Sequence, residues 1–190
     1  MRRVTFIFAS LIHFTWPVES FAQDRAPIFS QLSPESTTQT HLGMGLLDYG
    51  KLILLDAEDL AEQGIADAYQ RLLPDLTKYV AHPADVTELL DGDVPSYKIR
   101  YGGQEFLIYS SQQGGTESES WGRATYFFFH IINEQLTGTG IQLYAIDSGN
   151  ELGALFLTPE EAKEAQSALP HKTDWPYIPT LDDRWYGQFH

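Results

Sequence analysis

The segment YKIRYGGQEFLIY, residues 97–109, leaves the chain few ways to fold. Gly102 and Gly103 supply the positive φ values that a two-residue hairpin turn needs, and they stand between two runs rich in β-branched and aromatic residues. Closing the hairpin there sets Tyr101 opposite Gln104, Arg100 opposite Glu105, Ile99 opposite Phe106 and Tyr97 opposite Ile108. Apolar pairs then alternate with a charged pair, as a half-exposed antiparallel sheet requires. The same test applied to IQLYAIDSGNELGALFLT, residues 141–158, places a turn at Gly149 and Asn150. Here Ile141, Leu143, Leu152 and Phe156 take one face and Tyr144, Ile146, Leu155 and Leu157 the other. Both faces are apolar, so this second pair of strands is expected to be covered on both sides.

Helical signals fill the intervals. Leu60, Ile65, Ala68 and Leu72 follow helical spacing, Asp56 stands where a cap belongs, and Glu58, Asp59 and Glu62 lie in or near the first turn, where the helix dipole favours negative charge. Pro74 is expected to end or kink that helix, with shorter helical pieces over 75–81 and 84–90 before the turn residues DGDVP. The segment GGTESESWGRATYFFFHIINEQL, residues 114–136, predicts a long amphipathic helix, started by a capping box of Thr116 and Glu119. Trp121, Ala124, Phe127, Phe128, Ile131, Ile132 and Gln135 form its apolar arc, Phe129 and Leu136 the edge, and Arg123, Tyr126, His130, Asn133 and Glu134 the polar arc. A last helix opens at Thr158 as cap, with Pro159 first and Glu161 completing a capping box, and stops before Pro170. Together these elements predict an α+β fold: an antiparallel sheet of about four strands, built from two hairpins and packed with helices in a single domain.

The start of the chain has the layout of a secretory signal. Arg2 and Arg3 precede an apolar run from Val4 to Trp16, then come Pro17 and the small residues Ser20 and Ala22, so cleavage is expected after Ala22. That run is shorter than the roughly 20 residues that cross a bilayer, and no later segment supplies a transmembrane span. The expected organisation is a signal peptide over 1–22, a flexible arm over 23–44 rich in Ser, Thr, Gln and Pro, and the α+β domain over 45–190. A periplasmic or secreted location follows from that reading.

Charge and cysteine content narrow the function classes. Losing Arg2, Arg3 and Glu19 takes Lys+Arg from 12 to 10 and Asp+Glu from 26 to 25, so the net charge moves from -14 to -15. Phosphate backbones and anionic membranes require Lys and Arg, so the balance speaks against nucleic acid and favours a basic protein partner or solubility alone. There is no cysteine. Disulfides, a thiol nucleophile and thiolate metal sites are thereby excluded. The acids concentrate from Asp48 to Asp93, where eleven face only Lys51, Arg71 and Lys78, either as a solvated helix face or as a docking face for a basic partner.

Two places carry candidate chemistry. His130 and Glu134 are four residues apart on the long helix, a spacing that can hold a metal or relay a proton but more simply makes an exposed polar pair; no third ligand can be named. In LPHKTDWPYIPTLDDRWYGQFH, residues 169–190, His171 and Asp174 could act as a base and its orienter, with no nucleophile indicated. The same segment gathers Trp175, Tyr177, Asp182, Asp183, Trp185 and Tyr186 among prolines that prevent it from burying its own rings. It either wraps the domain as cover or presents a recognition surface of aromatic anchors and orienting acids. No motif calls for a metal or cofactor: GxSxG, HExxH, a phosphate-binding glycine loop and an EF-hand loop are all missing from the sequence.

In its exported, cysteine-free, strongly acidic composition the chain is similar to periplasmic immunity proteins that neutralise secreted toxins. The functional expectation is an exported, acidic, non-catalytic binding protein of the cell envelope, in its sharpest form an inhibitor or immunity-type protein. The alternative is a small periplasmic hydrolase or metal-dependent enzyme using His130, Glu134, His171 and Asp174.

Overall fold

Gly102 and Gly103 adopt φ of 56° and 80° and close the first hairpin where the sequence places it. The structure, a computed structural model, describes residues 46–114 and 116–181; of 116–118 it describes the backbone only. The expected signal peptide and arm lie outside the described residues. In chain order the elements are β1 (Ile53–Leu54), α1 (Ala57–Asp59), α2 (Ile65–Leu76), β2 (Val86–Asp91), β3 (Ser96–Tyr101), β4 (Gln104–Ser110), α3 (Thr116–Gln135), β5 (Gln142–Ile146), β6 (Gly153–Leu157) and α4 (Pro159–Ala168). Single 3-10 turns occupy Tyr49–Lys51, Gly149–Glu151 and Lys172–Asp174, and a π turn over Leu60–Gly64 joins α1 to α2.

The strands form two antiparallel sheets of three, where one sheet of about four was expected. Each hairpin recruits a third strand: β2 joins β3–β4, and β1 joins β6–β5. Residues 84–90, expected as helix, instead supply most of β2. Val86 and Thr87 are β-branched, and six consecutive pairings to β3, from Val86–Tyr101 to Asp91–Ser96, outweigh the weak helical spacing. Pro74 does not end α2, which runs on to Leu76, and the rest of the expected piece over 75–81 is a turn closed by Tyr79 and Val80 N–H groups on the Leu76 carbonyl. The β3–β4 register holds at Tyr101–Gln104, Arg100–Glu105 and Ile99–Phe106 but then shifts, so Tyr97 faces Tyr109 rather than Ile108. The extra residue is a bulge, and it leaves both Tyr97 and Ile108 buried.

Helix α3 touches both β4 and β5, and that position explains its burial. Phe129 and Leu136, expected at the edge of the apolar arc, are as buried as Phe128 and Ile132, whereas Trp121 is 38% exposed. A helix between two sheets buries more of its circumference than one lying on a single face. Two residues of the expected polar arc are also used internally. Arg123 donates from Nε and Nη2 to the Leu107 carbonyl of β4 (3.0 and 2.6 Å), and the Asn133 amide brackets Leu143 of β5. Thr125 is fully buried in the same helix, and its Oγ1 has no hydrogen-bond partner among the described residues.

The main core gathers Phe127, Phe128, Phe129, Ile131 and Ile132 with Leu72 and Leu76 of α2, Ile99 and Ile108 of one sheet, and Leu143 and Ala145 of the other. A second core lies across the β5–β6 sheet, where Tyr144, Ile146, Leu155 and Leu157 meet Leu47, the α4 residues Ala162 and Ala165, and Leu169 just past the end of that helix. The two-faced apolar pattern of these strands has this cause. Helix α4 starts as expected: Thr158 Oγ1 accepts from Glu161 N–H (3.1 Å) and Glu161 Oε2 accepts from Thr158 N–H (2.7 Å). Among the described residues no helix is long and apolar enough to cross a membrane.

Strand β5 is an edge, and its outward backbone groups are closed one by one. Ile141 N–H donates to Thr139 Oγ1 (3.1 Å), and Leu143 N–H donates to Asn133 Oδ1 (2.7 Å) while its carbonyl accepts from Asn133 Nδ2 (3.0 Å). Ala145 exchanges both backbone bonds with Tyr177 (2.7 and 3.0 Å), and the Asp147 carbonyl accepts from the Tyr177 hydroxyl (3.0 Å). An edge so covered offers no template for another strand.

Candidate functional site

Asp56 caps α1 as expected, its Oδ1 accepting from Glu58 N–H (2.8 Å) and Asp59 N–H (3.3 Å). The helix does not continue straight. Glu62 (φ -95°, ψ 38°) and Gln63 (φ 74°, ψ 35°) leave helical geometry, and the chain folds back tightly at Gly64, where an added Cβ would stand 2.4 Å from the Asp59 carbonyl oxygen. Sequence spacing cannot show this kink, because the apolar positions on either side remain in helical phase. Its consequence is to bring Asp56, Asp59, Glu62 and Asp67 around one recess of about 270 Å³, with Arg71 as the cation in its lining. Arg71 Nε stands 3.5 Å from Asp67, and both side chains are mostly exposed. That leaves three carboxylates on the recess without a further basic neighbour among the described residues of its lining.

Helix α2 then starts against sheet residues. Glu88 Oε1 accepts from Ala66 N–H (3.0 Å) and from the Tyr97 hydroxyl (2.8 Å), and Tyr97 Oη accepts from Ile65 N–H (3.4 Å). A carboxylate on β2 thus answers the positive end of α2. Burial first, then the Glu88 hydrogen bond and charge, push the Tyr97 phenol far above its ordinary range. The group stays protonated and donates, holding the kinked helix to the sheet.

The histidine candidates occupy different elements. His130 Nε2 lies 3.5 Å from Glu134, as the spacing predicts, but its ring also stacks on Tyr126 (5.3 Å between centroids, 13° between planes) and meets the edge of Phe106 at 6.0 Å. It is half-buried between α3 and β4. His171 is exposed at the start of the Lys172–Asp174 turn, and Asp174 Oδ1 accepts from Thr173 Oγ1 (3.1 Å). No described hydrogen bond or ion pair joins His130 or Glu134 to His171 or Asp174, and no group of three or more His, Asp or Glu among the described residues could hold a metal ion.

The aromatic segment is described in part. Trp175 lies against the second core, donates from Nε1 to the Leu169 carbonyl (3.0 Å) and carries the Lys172 ammonium 5.7 Å above its ring. Tyr177 extends the β5 edge, and burial with the nearby Asp147 raises its phenol. Both rings pack on the domain while staying part-exposed. Asp182, Asp183, Trp185 and Tyr186 lie outside the described residues.

Asp174 approaches Asp147 and Glu151 at the end of the second hairpin. Desolvation first, then Asp174 and Glu151, hold the Asp147 carboxyl above its usual range, and Asp147 also sits at φ 55°. A carboxyl whose folded pKa is raised binds its proton more tightly in the native state, so its contribution to stability falls as pH rises through that interval. Asp147→Asn removes the repulsion and keeps a side chain that tolerates a left-handed backbone. The variant is expected to be more stable by about 0.5 kcal/mol at pH 7, with the gain vanishing near pH 3. Urea melts at the two pH values measure it, and a gain independent of pH would contradict the assignment.

Sequence reasoning missed one further feature, a groove of about 790 Å³ beside β1 and β6, walled by Lys51, Lys78 and Tyr79 and floored by Leu155, Phe156 and Leu157. Its only sequence trace is the break between Tyr49–Lys51 and the two-residue β1, within a stretch whose glycines signal nothing specific. Comparison of the chain with protein-family models, with curated proteins and with solved structures gives no match.

Proposed function

We propose that the chain is an exported, acidic, non-catalytic binding protein of the cell envelope that docks a basic protein through the kinked α1–α2 face. The observation that supports this reading is the convergence of Asp56, Asp59, Glu62 and Asp67 on one exposed recess in whose lining, among the described residues, Arg71 is the one cation. At 3.6 residues per turn these four acids would share one arc of about 140° even along a straight helix, and the tight turn at Gly64 folds that arc around the recess. A surface of one sign attracts the opposite sign over about a Debye length, roughly 8 to 10 Å at physiological salt, and speeds encounter more than it strengthens the final contact. An inhibitor or immunity-type role is the sharper form, because blocking a basic enzyme requires only surface complementarity and no reacting group. Asp182, Asp183, Trp185 and Tyr186 are retained in this proposal as further contacts that anchor the same partner.

The test is affinity capture from native envelope extract by the chain beginning at Asp24, at about 50 mM and about 500 mM salt. One stoichiometric basic protein, held at low salt and released at high salt, is the expected result. Recovery of no partner at either salt would refute the proposal.

A further inference from the structure

Sheet β1–β6–β5 closes one edge and leaves part of the other open. Leu55 N–H donates to the Leu152 carbonyl (2.8 Å), and backbone groups alternate sides along a strand, so the Leu152 C=O and the N–H and C=O of Ala154 and Phe156 turn toward β1, while the Leu152 N–H closes the turn on the Gly149 carbonyl (3.3 Å). The β5 side confirms the alternation: Leu143 and Ala145, opposite Phe156 and Ala154, turn theirs away from β6, to Asn133 and Tyr177. Strand β1 reaches only Gly153 and Ala154. The residue that would face Phe156 is Lys51, but the chain has already bent into the Tyr49–Lys51 turn, where Asp48 accepts from Gly50 N–H and the Asp48 carbonyl takes Lys51 N–H (2.9 Å). The Phe156 N–H and C=O therefore have no partner among the described residues, and they face the 790 Å³ groove.

The groove has the form of a missing strand. On one side of the sheet plane the Phe156 ring packs on Tyr79 (5.2 Å), with Ile53 and Ile141 nearby; on the other stand Leu52, Leu155 and Leu157. Apolar side chains alternating above and below an added strand would meet apolar surface on both faces. The rim is charged: Lys51 pairs with Asp48 (2.8 Å) and also feels the Glu161 carboxylate, and Lys78 pairs with Asp75. Three carboxylates against two ammonium groups favour positive charge at the ends of the occupant.

We propose that the open β6 edge at Phe156 receives an extended segment of another protein, a short apolar stretch flanked by lysine or arginine, which joins the sheet as a strand. Main-chain hydrogen bonds to Phe156 supply the register, and the two apolar walls select the side chains. This site is separate from the acidic recess of α1–α2 and stands or falls without it.

Amide exchange at Phe156, followed by NMR on the full chain, tests the proposal with a defined probe, the capped peptide Lys-Val-Val-Val-Lys. Without peptide the Phe156 amide is expected to exchange freely; with saturating peptide it is expected to slow by about tenfold or more. Methylating the central peptide nitrogens removes the backbone donors and is expected to weaken binding by about tenfold, as is replacing both lysines by glutamate at low salt. A Phe156 amide already protected in the free chain would overturn the proposal, because residues of this chain would then fill the groove. Equal binding of the methylated peptide would overturn it as well, since apolar adsorption needs no strand pairing.

Discussion

Asn133→Ala is expected to destabilise the protein by about 2 to 4 kcal/mol, more than a polar residue on a helix ordinarily would. Its amide makes both backbone bonds of Leu143, at 2.7 and 3.0 Å, on the side of β5 that has no neighbouring strand. Leu143 is fully buried, so truncation strands an N–H and a carbonyl that water reaches only through the space the amide vacates. Each such group costs roughly 1 to 3 kcal/mol, while the better helix propensity of alanine returns only about 0.5 kcal/mol. Asn133→Asp keeps the acceptor for Leu143 N–H and loses the donor, so it is expected to fall between the two. Urea denaturation reads the loss, and amide exchange at Leu143 locates it. A loss below about 0.5 kcal/mol for the alanine variant would show that the bracket does not hold β5.

Gly64→Ala is the second large effect, expected at about 2 to 3 kcal/mol. The new Cβ would meet the Asp59 carbonyl oxygen at 2.4 Å and its carbon at 2.9 Å. Both are backbone atoms, which cannot swing away as a side chain end would, so the kink itself must open. Opening it also moves Ile65 and Ala66 away from Tyr97 and Glu88, whose hydrogen bonds secure the start of α2. The fold and the acidic recess are coupled at this residue: the variant is expected to lose thermal stability and to spread Asp59, Glu62 and Asp67 apart. A variant as stable as the parent would mean that the close approach at Gly64 is not required.

Local chemistry made much of the fold legible. Gly102–Gly103, the Thr158–Glu161 capping box, the Asp56 cap and the two-faced β5–β6 pattern each depend on residues adjacent in sequence, and each appears where the residues place it. Two kinds of feature were not legible. The first depends on partners far along the chain: residues 86–91 became a strand because β3 was available to pair with them, and Phe129 became core because α3 lies between two sheets. The second depends on backbone geometry that leaves side-chain spacing unchanged. The π turn at 60–64 keeps Leu60 and Ile65 buried while redirecting Glu62 between them. Likewise, nothing in KLILLDAED announces that β1 stops two residues short of covering Phe156. At the candidate sites, the His130–Glu134 spacing was readable, but the Tyr126 and Phe106 rings that hold His130 were not, since Phe106 belongs to a different element.

The most direct measurement of the central proposal is a titration of the purified basic partner against the parent chain and against an Asp59→Asn, Glu62→Gln, Asp67→Asn variant, over a range of salt. These three side chains are exposed, and Asp56 is left intact because it caps α1. The account predicts at least about a tenfold weaker affinity at low salt for the variant, a flatter dependence on salt and an unchanged melting temperature. The same affinity and the same salt dependence in both proteins would contradict it.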